Sequence, residues 1–243
     1  ANKIVIKPDA LTQSMQVLEG ESILQSRNYE MIQLVSVLCN TAELSIDAGE
    51  LKEVGDPLET GLLKFVKANK KDVSSVRQQY PKVKEEPFDS ETKIMATCHD
   101  FDKHFLTVAK GGSVDLVQRC TTLLKDRESI PLTDALRNRC VAEANEMAAS
   151  GLRVIATAYK ENDTVPESLS QELVFTGLIG MIDPPRNEVP DAIQECKSAG
   201  IKVIMVTGDH PATARSIGLK LGLLDSTYEV MHGNEMGDYE HLD

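Results

Sequence analysis

The sequence has no tryptophan and only five phenylalanines and five tyrosines among 243 residues. Stacking platforms for single-stranded nucleic acid need aromatic faces in series, so that class of partner is excluded first. Positive charge is also short, with 26 Lys and Arg against 38 Asp and Glu and a formal net charge of −12. Such a surface repels nucleic-acid phosphates and anionic membranes, although a few Lys and Arg converging locally can still hold a small anion. The five cysteines, Cys39, Cys98, Cys120, Cys140 and Cys196, are odd in number and form no CxxC pair. They read as reduced thiols in a cytosolic compartment, mostly small core residues, and not as a metal site. The amino end shows no signal-peptide pattern. The longest apolar stretch, Leu173 to Ile182, is about half the ~20 residues that a membrane-spanning helix needs.

What is present is a chain long enough for two domains, each with its own core. Ala1 to Lys7 alternates imperfectly and reads as a strand. Apolar residues at Met31, Leu34, Val35 and Leu38 predict a helix from Tyr29 to Leu44. Asp56-Pro57-Leu58-Glu59 opens a second helix, with Asp56 as cap, Pro57 at the first position and Glu59 at the third, where a capping box places its carboxylate. Asp72 to Tyr80 is a short polar helix or turn. The period then changes, and Val83–Phe88, Thr92–Cys98 and Phe105–Lys110 read as antiparallel strands, with a hairpin loop at Asp100–Lys103. Ser113 is placed as the cap of a helix reaching Leu124, and Thr133 opens another to Ala149, stopped by Gly151. Strands follow at Leu152–Tyr159 and Leu173–Ile182, with a polar loop, Lys160–Gln171, between them.

Past Asp183-Pro184-Pro185 the pattern becomes strand and helix in alternation. Helices are expected at Glu188–Ala199 and Pro211–Leu221, each ended by a glycine. Between them Val203-Ile204-Met205-Val206 reads as a parallel strand buried on both faces. The polar residues just beyond such a strand, Thr207, Gly208 and Asp209, fall where an open α/β sheet binds ligands. A hydroxyl, a glycine permitting close approach and a carboxylate suit a phosphate and its metal.

Asp183-Pro184-Pro185-Arg186, followed about twenty residues later by Met205-Val206-Thr207-Gly208-Asp209-His210-Pro211, resembles the phosphorylation domain of the P-type cation-transporting ATPases. Four upstream segments resemble the same family's ATP-binding set. Glu59, in DPLETGL, matches the glutamate that hydrogen-bonds the adenine amino group. Phe88 to Met95 (FDSETKIM) matches the FSxxxKxM segment, whose phenylalanine stacks on adenine and whose lysine, here Lys93, reaches the nucleotide. Lys110 and Gly111 match the start of KGAPE, but Gly112, Ser113 and Val114 depart from it and suggest a looser loop. Arg153, in Gly151-Leu152-Arg153, matches an arginine that contacts the phosphates. Taken by themselves, Glu59 reads first as a helix-cap carboxylate and Lys93 as a solvated strand residue, Phe88 is equally a strand-end aromatic, and a surface ion pair competes strongly for Arg153.

The resemblance implies an α/β fold: an antiparallel sheet with flanking helices (nucleotide-binding domain, residues 1–182), then part of a Rossmann-like, haloacid-dehalogenase-type domain (phosphorylation domain, 183–243). The tail after about residue 224 is expected to be disordered, or to associate through an open strand edge. ATP and Mg²⁺ are the implied cofactors. Thr207, Gly208 and Asp209 would position the phosphoryl group and Mg²⁺, and Asp183 and Arg186 would sit at the hinge. The family's phosphorylated aspartate lies in DKTGTLT, just before a segment like Asn2-Lys3-Ile4-Val5-Ile6. These residues are therefore expected to begin past the nucleophile, to bind nucleotide weakly and not to hydrolyse it. The implied partners are the actuator, remaining phosphorylation and transmembrane parts of a pump at the cytoplasmic face of a membrane. Neither nucleic acid nor direct membrane insertion is expected. A calcium-type pump is favoured over a sodium/potassium type. The alternatives are a free-standing haloacid-dehalogenase-type phosphatase, or a regulatory module that binds nucleotide without chemistry.

Overall fold

The computed structural model describes residues 3–7, 26–47, 50–125, 127–182, 188–207 and 211–224. These described residues fall into two compact units, one within 4–144 and 154–181, the other within 1–3, 145–153 and 182–243.

The larger unit is built on a sheet. Its strands are β1 (Lys3–Lys7), β4 (Lys82–Asp89), β5 (Ile94–Phe101), β6 (His104–Gly112), β7 (Cys120–Lys125), β8 (Glu128–Pro131), β9 (Arg153–Asn162) and β10 (Leu173–Ile182). The order is β4-β5-β6-β9-β10-β7-β8, with β1 also paired to β10. The β4–β5, β5–β6, β6–β9 and β7–β8 pairs are antiparallel, while β10 and β7 run parallel. β5 lies between β4 and β6 and is buried without a break from Ile94 to His99. β4 lies at the margin and carries Lys82, Lys84, Glu85, Glu86 and Pro87, a composition that discourages pairing with another chain. A separate hairpin pairs β2 (Glu43–Asp47) with β3 (Glu50–Val54).

Two helices, α1 (Arg27–Leu38) and α2 (Pro57–Ala68), supply the core on one face. Met31, Val35, Leu38 and Val66 pack with Met95, Leu106, Val108 and Leu124 of the sheet. Ile32 and Leu62 pack with Ile155, Ile179 and Met181. α1 begins under the Ser26 cap, whose side chain accepts from the Tyr29 N–H, and nine of its residues are buried, Asn28, Gln33 and Ser36 among them. It stops at Leu38, not Leu44. The reason is tertiary: Arg77, on α3 (Val73–Gln79), donates to the carbonyls of Val37, Asn40 and Ala42. The Asn40 amide meanwhile donates to Ser36 O and its oxygen accepts from the Ala42 N–H. The orphan carbonyls of a helix end are thus satisfied without another turn.

The expected helix from Ser113 to Leu124 is also corrected. α4 covers only Ser113–Arg119, its cap is Gly112 and not the Ser113 side chain, and the chain then turns into β7. Cys120, Leu123 and Leu124 of β7 are buried, and the strand finds its parallel partner in β10. α5 (Asp134–Ala149) does start under Thr133, whose hydroxyl accepts from the Leu136 N–H at 3.4 Å. Gly151 follows it at φ +82°. A Cβ there would lie 2.4 Å from Ser216 Oγ, so both backbone and space require glycine.

The smaller unit contains α6 (Val189–Ser198) and α7 (Pro211–Lys220). Ile193, Leu221 and Leu223 form its core, with Val189, Val203, Met205 and Ile217 packed against them. Residues 201–207 are not a strand buried on both faces. Val203 and Met205 point inward, whereas Ile204 is 72% exposed and Val206 92%. The described residues offer this segment no strand to pair with, so one face alone is covered.

Candidate purine pocket at the end of the sheet

The site grows from the turn that ends α1. That turn brings Thr41 over the first turn of α2, where Asp56 caps by accepting from the Leu58 N–H at 2.8 Å. Glu59, at the third position, turns its carboxylate to other partners. Its Oε2 accepts from the Thr41 N–H at 3.0 Å and the Thr41 hydroxyl at 2.6 Å, and its Oε1 accepts from Lys110 Nζ at 2.5 Å. The capping-box reading of Glu59 is therefore replaced by a buried ion pair, with side chains 11% and 8% exposed for Glu59 and Lys110. Burial pushes the Glu59 carboxyl up, but the hydrogen bonds from Lys110 and Thr41 and the lysine charge together outweigh it, so the group stays below the usual glutamate range.

Lys110 stands directly opposite Met95 in the β5–β6 register, and Ile94 opposite Gly111. Asp89 at the end of β4 pairs with Ile94. Phe88, Lys93, Met95, Lys110 and Gly111 thus gather at one end of three adjacent strands, with Glu59 joined to them through Lys110. Phe88 is 63% exposed. Lys93 occupies the β4–β5 turn at φ +56°. Its N–H donates to Asp89 O at 2.7 Å and its carbonyl accepts from the Gly112 N–H at 2.9 Å. Its ammonium lies 3.9 Å from an Asp115 carboxylate oxygen.

No loose glycine loop follows Lys110. β6 continues through Gly112 straight into α4, and the tight packing explains why. A Cβ on Gly111 would sit 2.4 Å from the Lys93 carbonyl oxygen, and one on Gly112 would sit 2.5 Å from an Asp115 carboxylate oxygen.

Cys39 lies behind the pair, donating from Sγ to Met95 O at 3.3 Å. Burial is the main reason its thiol is pushed up to about 11, so it stays a neutral core thiol. Cys98, Cys120 and Cys140 are buried as well, in keeping with the reading of the cysteines as core residues.

The remaining sequence candidates are not among the described residues of the larger unit. Arg153 is exposed at the start of β9 and belongs to the smaller unit. Thr207 is exposed, while Asp183, Arg186, Gly208 and Asp209 lie outside the described residues, as does the tail from 225. Among the described residues no three His, Cys, Asp or Glu side chains gather as a metal site, and no helix is long and apolar enough to cross a membrane. Motif reading missed Thr41 and Asp115, which touch the candidates Glu59 and Lys93. Nothing local in the sequence marks Thr41, whereas Asp115 could have been suspected from its place one turn past the two glycines.

Residues 28–188 match the family model described as "P-type ATPase, cytoplasmic domain N". The chain belongs to the P-type ATPase family. Among relatives, it is 37% identical over 203 residues to "Calcium-transporting ATPase 1" of Bacillus cereus, covering 82% of this chain and 22% of the relative. It is 34% identical over 251 residues to "Potassium-transporting ATPase alpha chain 2" of Homo sapiens, covering 95% and 24%. "Sodium/potassium-transporting ATPase subunit alpha" of Tetronarce californica is 34% identical over 226 residues, covering 85% and 22%. The chain thus spans under a quarter of the length of these P-type relatives. Its largely antiparallel sheet with flanking helices accords with the α/β fold that the resemblance implied.

Proposed function

We propose that these residues bind ATP for a P-type pump, with a nucleotide-binding domain at 1–182 and part of a phosphorylation domain at 183–243. The observation that carries the reading is the buried Glu59–Lys110 pair beside Met95. It sets a hydrogen-bond acceptor next to a donor, complementary to the amino group and ring nitrogen on adenine's edge. Phe88 supplies an exposed ring for stacking, and Lys93 a cation on the side where phosphates would lie. Arg153 would join the phosphates in the assembled site.

In this reading Mg²⁺ arrives on the ATP phosphates. Thr207, Gly208 and Asp209 position the phosphoryl group and its metal, with Asp183 and Arg186 at the hinge. Such transfer depends mostly on positioning and charge neutralisation. The acceptor is an aspartate of a DKTGTLT segment, which these 243 residues do not contain. ATP hydrolysis, cation transport and the actuator and transmembrane partners belong to the whole pump at the cytoplasmic face of its membrane. Calcium- and potassium-transporting relatives match at similar identity, so the resemblance to calcium pumps does not by itself select the ion. The phosphatase alternative is not favoured. Its only DxD candidate, Asp100-Phe101-Asp102, occupies the end of β5 and the turn to β6 between antiparallel strands.

Nuclear magnetic resonance titration with ATP, AMP and inorganic phosphate tests the reading. Shifts at Phe88, Met95 and Lys110 that require the adenine support it, whereas binding driven by phosphate alone overturns it. Phosphate release from ATP by the purified 243 residues would contradict the assignment of the nucleophile elsewhere.

A further inference from the structure

We propose that Thr41 is the positioning residue of the purine pocket, filling one oxygen of the Glu59 carboxylate so that its open acceptor position lies on the other, beside Lys110. This rests on the nucleotide reading above and deepens it toward base selectivity.

A carboxylate offers about four acceptor positions. Thr41 fills both on Oε2, with its N–H at 3.0 Å and its hydroxyl at 2.6 Å. Lys110 takes one on Oε1 at 2.5 Å. The position left for an incoming donor is on Oε1, adjacent to the ammonium. A 6-amino purine presents a donor and a neighbouring acceptor there. A 6-oxo purine presents the reverse pattern, opposing acceptor to acceptor and donor to donor.

Thr41 can hold this orientation because the turn around it is tied down. The Asn40 amide donates to the Glu59 carbonyl at 2.9 Å, and Arg77 donates to the carbonyls of Asn40 and Ala42 on either side. The hydroxyl itself is on an exposed residue, so its removal leaves the core intact. Without it, the carboxylate keeps one donor on Oε2 and can turn, offering Lys110 either oxygen.

The test uses Thr41→Val and Thr41→Ser, with ATP and GTP titrations and carbon-detected titration of the Glu59 carboxyl in the absence of nucleotide. Loss of a charge-assisted hydrogen bond predicts that T41V weakens ATP by about tenfold. GTP should change little, so the ATP-to-GTP ratio shrinks, and T41S should restore it. The Glu59 midpoint should rise in T41V and return in T41S. An ATP-to-GTP ratio in T41V equal to that of the parent protein overturns the proposal. If the parent protein binds neither nucleotide, the nucleotide reading itself has failed. The carboxyl titration then decides whether Thr41 sets the carboxylate: a moved midpoint supports it, and an unmoved one overturns it.

Discussion

Replacing Lys110 by methionine tests the central ion pair most directly. The Glu59 side chain is 11% exposed, and Lys110 is the cation bonded to its Oε1. Methionine fills similar space but leaves the carboxylate with only the two Thr41 donors. Breaking a buried pair from one side costs about 3–5 kcal/mol. At roughly 2–4 °C per kcal/mol for a chain of this size, the midpoint should fall by about 6–20 °C. The pH dependence should also reverse. In the parent protein the Glu59 carboxyl is held low, so its contribution is present above the unfolded value and is lost as pH falls through the folded one. In K110M, burial, already the largest single influence on the group, has no cation to oppose it, so the folded value rises above the unfolded one. The variant's deficit should then shrink as pH falls from 7 to 5. Thermal unfolding followed by circular dichroism at both pH values reads this out. Glu59→Gln added to K110M should recover much of the loss at pH 7. A K110M deficit below about 1 kcal/mol, constant across pH, would refute a buried, coupled pair.

Three further predictions concern the same end of the sheet. Gly111→Ala should cost at least about 2 kcal/mol because its Cβ meets backbone, whereas Gly112→Ala should cost under about 1 kcal/mol, since only the tip of the Asp115 side chain must move; chemical denaturation compares them. Phe88→Ala, at an exposed position, should leave unfolding unchanged but lose about 1–3 kcal/mol of adenine stacking; unchanged ATP affinity by calorimetry would remove Phe88 from the site. Asp115→Asn should free Lys93 for phosphate and tighten ATP by about two- to threefold at low salt, an effect that should vanish in a Lys93→Ala background.

Capping letters made α2 legible, since Asp56-Pro57 names its start without reference to anything distant. β5 and β6 were equally legible from their apolar, β-branched runs. The end of α1 was not, because the residue that stops it, Arg77, lies 37 positions from the carbonyl of Asn40 that it binds. β7 was hidden for a related reason. Val117 and Leu124 suit a helix face, and only pairing with β10, with Leu173 opposite Cys120, makes that stretch extended. The hairpin of β2 and β3 had a readable sign, Asp47-Ala48-Gly49-Glu50 between two short strands, that the expected longer helix obscured. At the candidate site, Lys93, Lys110 and Phe88 could be grouped on paper only through the family resemblance. The bond from Thr41 to Glu59 could not, because the same glutamate at the third helical position satisfies a capping box equally well on paper.

Helix α3 has no buried residue of its own, yet its Arg77 gathers the three carbonyls around Thr41. The stiffness of the proposed purine site is therefore governed from outside it. Fraying of this seven-residue helix would loosen the ring of bonds around Thr41 and Glu59, and Val73 and Val76 are the side chains it would draw away from the edge of the core. A protein or small molecule that clasped or peeled away α3 would thus possess a handle on base recognition without ever touching the nucleotide.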